Sequence, residues 1–271
     1  MTQRVKVTIA YDGAAFSGWQ IQCGHAEKTV QGAIEFALLN LSKKRIVVHG
    51  SGRTDAGVHA DGQVFHFDIP RNRSDMDWRR FFHAMLPPSV QVRAVELVDE
   101  GFHARFSALG KRYEYVLWSH TDKAPLKLAP YVWSTPPVHQ ETIAQALEFL
   151  VGEHDFASFQ KQGSTVDNTV RTITEITPAP GMCGPFMCPS YPHLCTWRIE
   201  GNGFLRQMVR NIMGLLVWVG TGKVTVEDIP AIMRACDRKS LPSPAAPGHA
   251  LTLAEVYYTQ GQWDNWRNSQ K

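Results

Sequence analysis

One stretch stands out for its chemistry, Ser51-Gly52-Arg53-Thr54-Asp55-Ala56-Gly57-Val58-His59. Glycines at 52 and 57 permit backbone angles closed to other residues and let a ligand come close to the main chain. Between them stand one guanidinium, Arg53, and one carboxylate, Asp55. In a locally extended loop a spacing of two points both side chains the same way. On residue types alone Thr-Asp-Ala-Gly reads first as a turn. A carboxylate held between glycines beside an arginine is also the pattern of a functional acid. A second cluster, Cys183, Cys188, His193 and Cys195, has zinc-ligand residue types. Its spacings do not match a C-x2-C knuckle, and the segment is rich in Gly and Pro, so it reads as an irregular loop. No HExxH, GxxxxGK[ST] or GxGxxG pattern is present, and no metal site is expected.

The bulk numbers fit a folded, reduced protein. The 271 residues are 44% hydrophobic and 20% charged, enough to bury a core. Five cysteines, an odd number without a framework, favour a cytoplasmic protein over a disulfide scaffold. The apolar run Ile212–Val219 is too short to span a membrane, and the opening MTQRVKVTIAYDG carries no secretory pattern. Net charge is +3 and the isoelectric point is near 8.6. Basic clusters occur at Lys43-Lys44-Arg45, Arg71/Arg73, Arg79-Arg80, Lys111-Arg112 and Arg206/Arg210. Each alone is an ordinary solvated face, but together they suit nucleic acid if the fold gathers them.

The elements that must position these residues follow from periodicity. Val5, Val7 and Ile9 alternate, which predicts a strand over 4–10. Val30, Ile34, Leu38 and Leu41 mark one face of a helix over 29–41, capped by Thr29. Strands are predicted over 45–49 and 62–68, a helix from Ser74 through Met85 ended by Pro87-Pro88, and a strand over 90–98. That order, β-α-β-β-α-β, is the split βαβ or ferredoxin-like signature. The second half repeats it: a strand over 112–118 with Tyr113 and Tyr115 on one face, a helix over 139–151, strands over 169–177 and 194–200, and an apolar helix over 204–219. A short helix capped by Thr225 and a strand over 252–259 complete the chain. The expected class is α+β, with two ferredoxin-like halves, residues 1–105 and 106–271, whose antiparallel sheets flank a cleft.

The loop resembles the catalytic motif of the TruA family of pseudouridine synthases, G-R-T-D-A-G-V-H, complete here from Gly52 to His59. Further blocks resemble the family: Tyr11-Asp12-Gly13 with Phe16-Ser17-Gly18-Trp19-Gln20, then Val30-Gln31, then Phe102–Ala108 with Lys111–Tyr115. Gly152–Phe156 with Ser158-Phe159 and Phe204-Leu205 with Met208–Ile212 and Gly214 continue the likeness, which spans nearly the whole chain. The chain departs from the family pattern at Ala250 before Leu251-Thr252-Leu253, at Ala245, where the family's Thr-Ala-Pro reads Ala245-Ala246-Pro247, and in a longer segment over 178–194.

The resemblance implies a pseudouridine synthase fold with a basic RNA-binding cleft between its halves. It implies isomerisation of uridine at positions 38 to 40 of the tRNA anticodon stem-loop, and a homodimer. Such a reaction breaks the N1–C1′ bond, turns the uracil and rejoins it through C5, so it needs no cofactor. Charge builds on the ribose, and a carboxylate beside C1′ stabilises it or attacks it. The resemblance gives that role to Asp55; removal of the 2′ proton would use the same residue. It gives Arg210 as the guanidinium that keeps Asp55 ionised against desolvation, Arg53 as a hold on the flipped nucleotide, Tyr113 as the ring against the uracil and Leu251 as an apolar contact to the base. Without the resemblance these four read as a solvated helix arginine, a surface charge, a packed strand tyrosine and a core leucine. Two other readings remain open: a non-catalytic RNA-binding module, and a nucleosidase, which would need a second carboxylic acid as proton donor.

Overall fold

Alternation builds the first strand. In β1 (Thr2–Tyr11) Val5, Val7 and Ile9 are fully buried, and antiparallel pairing sets Val5 against Phe67 and Val7 against Phe65 of β3 (His59–Pro70). The computed structural model describes residues 2–22, 28–164, 166–180, 182–183, 186–187, 191 and 193–263. It divides into two compact units, one of residues up to Leu109 together with those from Leu253 on, the other Gly110–Thr252.

In the first unit α1 (Val30–Ser42) follows β1, then the two-residue β2 (His49–Gly50), β3, α2 (Trp78–Met85) and β4 (Val90–Val98). The sheet runs β4-β1-β3, with β2 on β3 and the last strand, β12 (Leu251–Tyr257), beside β3. Phe65 and Phe67 meet the helices: Phe67 lies 5.1 Å from Trp78, and Phe65 lies 5.9 Å from Phe82, edge to face. Thr29 caps α1 as expected, its hydroxyl accepting from Gly32 N–H at 3.1 Å. The cap of α2 is Asp77 rather than Ser74. The Asp77 carboxylate accepts from Arg80 N–H at 2.9 Å, while the Ser74 hydroxyl turns to Asp75. The strand expected over 45–49 shortens to His49–Gly50 because Val48 N–H is taken by the Glu35 carboxylate of α1, at 3.3 Å.

The second unit contains β5 (Gly110–Ser119), β6 (Trp133–Thr135), α3 (Gln140–Leu147), β7 (Gly152–Asp155), β8 (Val170–Pro180), the short β9 (Met182–Cys183) and β10 (Phe186–Met187), β11 (Leu194–Gly201), α4 (Met208–Gly220) and α5 (Ile229–Ala235). Its sheet order is β5-β11-β8-β7, antiparallel at each step, with β6 added parallel to β5. The class is therefore α+β with a mostly antiparallel sheet. α4 is apolar nearly all round and buried, as a core helix should be. Gly214 lets it press on the Pro244 carbonyl, where a Cβ has no room. The helix begins four residues later than its apolar run suggests, because Gln207 adopts a left-handed conformation with φ 64°. The reciprocal bond between Thr225 and Asp228 closes a 3-10 turn, Val226–Asp228, which leads into α5 with Pro230 in its first turn.

Candidate active site

The Asp55 loop leaves β2 and enters β3, and the first strand's end grips it from below. Tyr11, at the tip of β1, is buried and its hydroxyl bonds the Thr54 hydroxyl at 2.8 Å. Burial pushes the Tyr11 phenol up to about 12, so it stays protonated and neutral. One residue beyond Thr54 stands Asp55, half-buried; Arg53, one residue before, is exposed.

The segment after β1 supplies the other clamps. Trp19 N–H donates to the Thr54 carbonyl at 3.1 Å, and Gly13 N–H donates to His59 Nδ1 at 3.1 Å. That nitrogen also faces Asp12 Oδ1 at 3.1 Å, so it accepts from Gly13 when neutral and donates to Asp12 when protonated. Gly18, at φ +97°, lets the segment lie against the loop. A Cβ there would sit 2.7 Å from the Thr54 carbonyl oxygen and 3.1 Å from the Asp55 carbonyl carbon. Within the loop Gly57 has φ +77°, and Val58 N–H closes a turn on the Asp55 carbonyl at 3.2 Å.

From the β3 side, buried Gln63 accepts from the Ser51 hydroxyl at 2.6 Å and donates to the Gly52 carbonyl at 3.1 Å. Ser51 N–H reaches the Val64 carbonyl at 2.7 Å. The backbone on both sides of Asp55 is thus fixed by partners from β1, β3 and the segment 13–19. A fixed backbone limits how far the Asp55 side chain can move when charge develops beside it. Tyr11, Gly13, Gly18, Trp19, His59 and Gln63 were not assigned roles from sequence. Most lie in blocks that carry the family resemblance, and that is the one signal that marks them.

The remaining expected site residues lie in the second unit. Tyr113, on β5, is buried, and its ring stands edge-on to Phe204 at 5.1 Å. Arg210, in the first turn of α4, is half-buried and donates from Nε to the Ala246 carbonyl at 2.7 Å, while its own carbonyl accepts from Ala246 N–H at 3.0 Å. Leu251 opens β12 and is buried. Tyr115, two residues on from Tyr113, donates to the Pro247 carbonyl at 2.9 Å. Burial holds its phenol well above the ordinary value, and Arg210 pulls it partly back. Asp55 and Arg53 share one loop of the first unit; Tyr113, Arg210 and Leu251 share the second.

Only part of the cysteine cluster lies within the described residues. Cys188 lies outside the described residues, as does the side chain of Cys183. Cys195 is buried in β11, which pushes its thiol up to about 11, and His193 stacks on His120 at 3.9 Å. Among the described residues no group of three or more His, Cys, Asp or Glu could hold a metal ion, and no helix is long and apolar enough to cross a membrane.

Comparison with known proteins shows what the chain is similar to. A family model described as tRNA pseudouridine synthase matches residues 7–107 and 146–259, which include the whole Asp55 loop, Arg210 and Leu251. The tRNA pseudouridine synthase A of Oleidesulfovibrio alaskensis is 44% identical over 268 residues, covering 94% of this chain and 96% of that one. Those of Nitratidesulfovibrio vulgaris (strain Miyazaki F) and Geobacillus kaustophilus are 41% and 40% identical, covering 94% and 95% of this chain and 99% and 95% of theirs. The chain belongs to the tRNA pseudouridine synthase family, whose members are isomerases.

Proposed function

We propose that the chain converts uridine to pseudouridine at positions 38 to 40 of the tRNA anticodon stem-loop, with Asp55 as the catalytic carboxylate. The observation that supports this most is the half-buried Asp55 on a backbone pinned from three directions. The target uridine sits in a stem-loop and must leave its stack, at a cost of a few kcal/mol that pocket contacts offset. Asp55 then attacks C1′, or stabilises the charge there, as N1–C1′ breaks; alternatively it takes the 2′ proton. The freed uracil turns, C5 bonds C1′, and the C5 proton departs as N1 gains one, so the product is an isomer of the substrate. Arg53, Tyr113, Arg210 and Leu251 are assigned to the nucleotide: Arg53 to its backbone, Tyr113 to the base and to the C5 proton, Arg210 to charge, Leu251 to the apolar edge. A homodimer acting in the cytoplasm on tRNA, without a cofactor, completes the reading.

The test maps pseudouridine, by carbodiimide chemistry or mass spectrometry, in undermodified tRNA incubated with purified protein and nothing else. Wild-type protein should yield pseudouridine at positions 38 to 40, and Asp55→Asn should yield none while still binding tRNA. Turnover by Asp55→Asn near the wild-type rate refutes the assignment. Release of free uracil would point to a nucleosidase.

A further inference from the structure

One aromatic group in the first unit is left out by the reading above. Phe106 is 77% exposed, although burying a phenylalanine normally contributes about 1.5–3 kcal/mol. Its turn holds it outward. His103 Nδ1 accepts from the N–H groups of Arg105 at 3.1 Å and Phe106 at 3.3 Å, and Ser107 closes the turn on both His103 backbone groups at 2.9 Å. The turn is anchored below. Ala104 N–H donates to buried His66 at 3.1 Å, and the Ala104 carbonyl accepts from Tyr258 Oη at 2.6 Å. Tyr258, whose phenol burial pushes well up, is also hydrogen-bonded to Ser51, the first residue of the Asp55 loop.

The turn continues a column of rings. His66 and His49 stack at 5.0 Å, His103 lies 4.6 Å from His66 and 5.6 Å from His49, and Phe106 lies 4.4 Å from His103. The Arg105 guanidinium stands 5.6 Å from the Phe106 ring. Arg4 nearby is paired with the Asp68 carboxylate at 2.8 and 2.9 Å, so that acid is neutralised and the Arg105 guanidinium supplies the charge beside the ring. An exposed, rigidly presented ring beside an arginine and imidazoles offers a base a π-face and its phosphate a positive charge.

We infer that Phe106 is a stacking platform for an unpaired nucleobase of the RNA substrate, with Arg105 on the adjoining phosphate. The inference rests on the tRNA reading and adds to it a contact in the turn tied through Tyr258 to the Asp55 loop. The experiment measures tRNA binding by Phe106→Ala, Phe106→Trp and Arg105→Gln at several salt concentrations, beside thermal melting, solution mass and wild-type pseudouridine formation. Phe106→Ala should weaken binding by about five- to a hundredfold with its salt slope and melting temperature unchanged. Phe106→Trp should bind within about twofold of wild type, since indole stacks as well. Arg105→Gln should lower the salt slope by about 0.7–0.9. Binding by Phe106→Ala within twofold of wild type, with the wild type active, overturns the platform alone. A halved mass in Phe106→Ala assigns the ring to a subunit contact and overturns it too. Wild-type protein that neither binds nor modifies tRNA sinks the functional reading itself.

Discussion

Gly18 gives the sharpest way to test whether the backbone behind Asp55 matters. Replacing it with alanine asks two things of the chain at once. At φ +97° an L side chain is strained, by about 1–2 kcal/mol. The new methyl would also lie 2.7 Å from the Thr54 carbonyl oxygen and 3.1 Å from the Asp55 carbonyl carbon. Both are backbone atoms, so no rotamer change relieves the clash, and overpacking of this kind costs about 1–3 kcal/mol. The sum, roughly 2–5 kcal/mol, lowers the melting temperature by about 4–20 °C for a chain of this size. The relief most open to the loop is to move away, carrying Asp55 with it, and a displacement near 1 Å costs about a hundredfold in rate. Two glycines separate the terms. Gly163→Ala meets nothing within 4 Å but has φ +76°, so it carries strain alone. Gly101→Ala meets nothing and has no positive φ, so it should be near neutral. Thermal melting should show the loss of stability falling in the order Gly18, Gly163, Gly101, and single-turnover pseudouridine formation should be lost at Gly18 alone. If Gly18→Ala melts with Gly163→Ala and turns over within twofold of wild type, the clamp on Asp55 is not what holds the site.

The other predictions concern groups around the same loop. Tyr11→Phe deletes the 2.8 Å bond to buried Thr54; it should destabilise by about 1–3 kcal/mol and slow turnover, and unchanged melting and rate would remove Tyr11 from the account. His66 is held down to about 4, chiefly by burial and then by Arg4, from an ordinary 6.5. The folded state thus prefers neutral His66: its contribution is present above pH 6.5 and is lost as pH falls toward 4. Melting temperature measured from pH 8 to pH 4 should fall on the acid side, and His66→Gln should flatten that fall; an identical acid limb in both would contradict it.

Local signals in the sequence were reliable where the partner was also local. Thr29 and the β1 alternation are decided within a few residues and stand as expected, while Thr225 caps a 3-10 turn and the helix proper begins at Ile229. Errors arose where a distant group took over. Residues 45–47 have strand-like composition, yet Glu35, ten or more positions back, captures the Val48 N–H and the Arg45 side chain. The early end of the apolar run at 204–207 gave no hint that Gln207 would turn left-handed before α4. The candidate site divides the same way. Asp55 between its two glycines reads first as a turn, and only the family resemblance gives it the catalytic role. Its supports, Tyr11, Gly18, Trp19 and Gln63, lie up to 44 positions from it and carry no chemical signature of their own.

Arg210 and Tyr115 hold the segment at 246–247 through its main chain. Ala246 meets Arg210 twice, and both bonds use the Ala246 main chain, its carbonyl at 2.7 Å and its N–H at 3.0 Å. Pro247 takes the Tyr115 hydroxyl through its carbonyl as well. A main-chain carbonyl is offered whatever the side chain, so the carbonyl bonds at 246 and 247 do not depend on which side chain stands there, while the N–H bond excludes proline at 246. The demand passes to the partners. Arg210 must reach with an Nε–H of fixed geometry, which lysine lacks, and Tyr115 must stay a protonated donor, which its burial ensures. The side-chain chemistry of this contact in the second unit therefore rests on the arginine and the tyrosine, and the segment they hold answers through its backbone, with Ala246 itself buried.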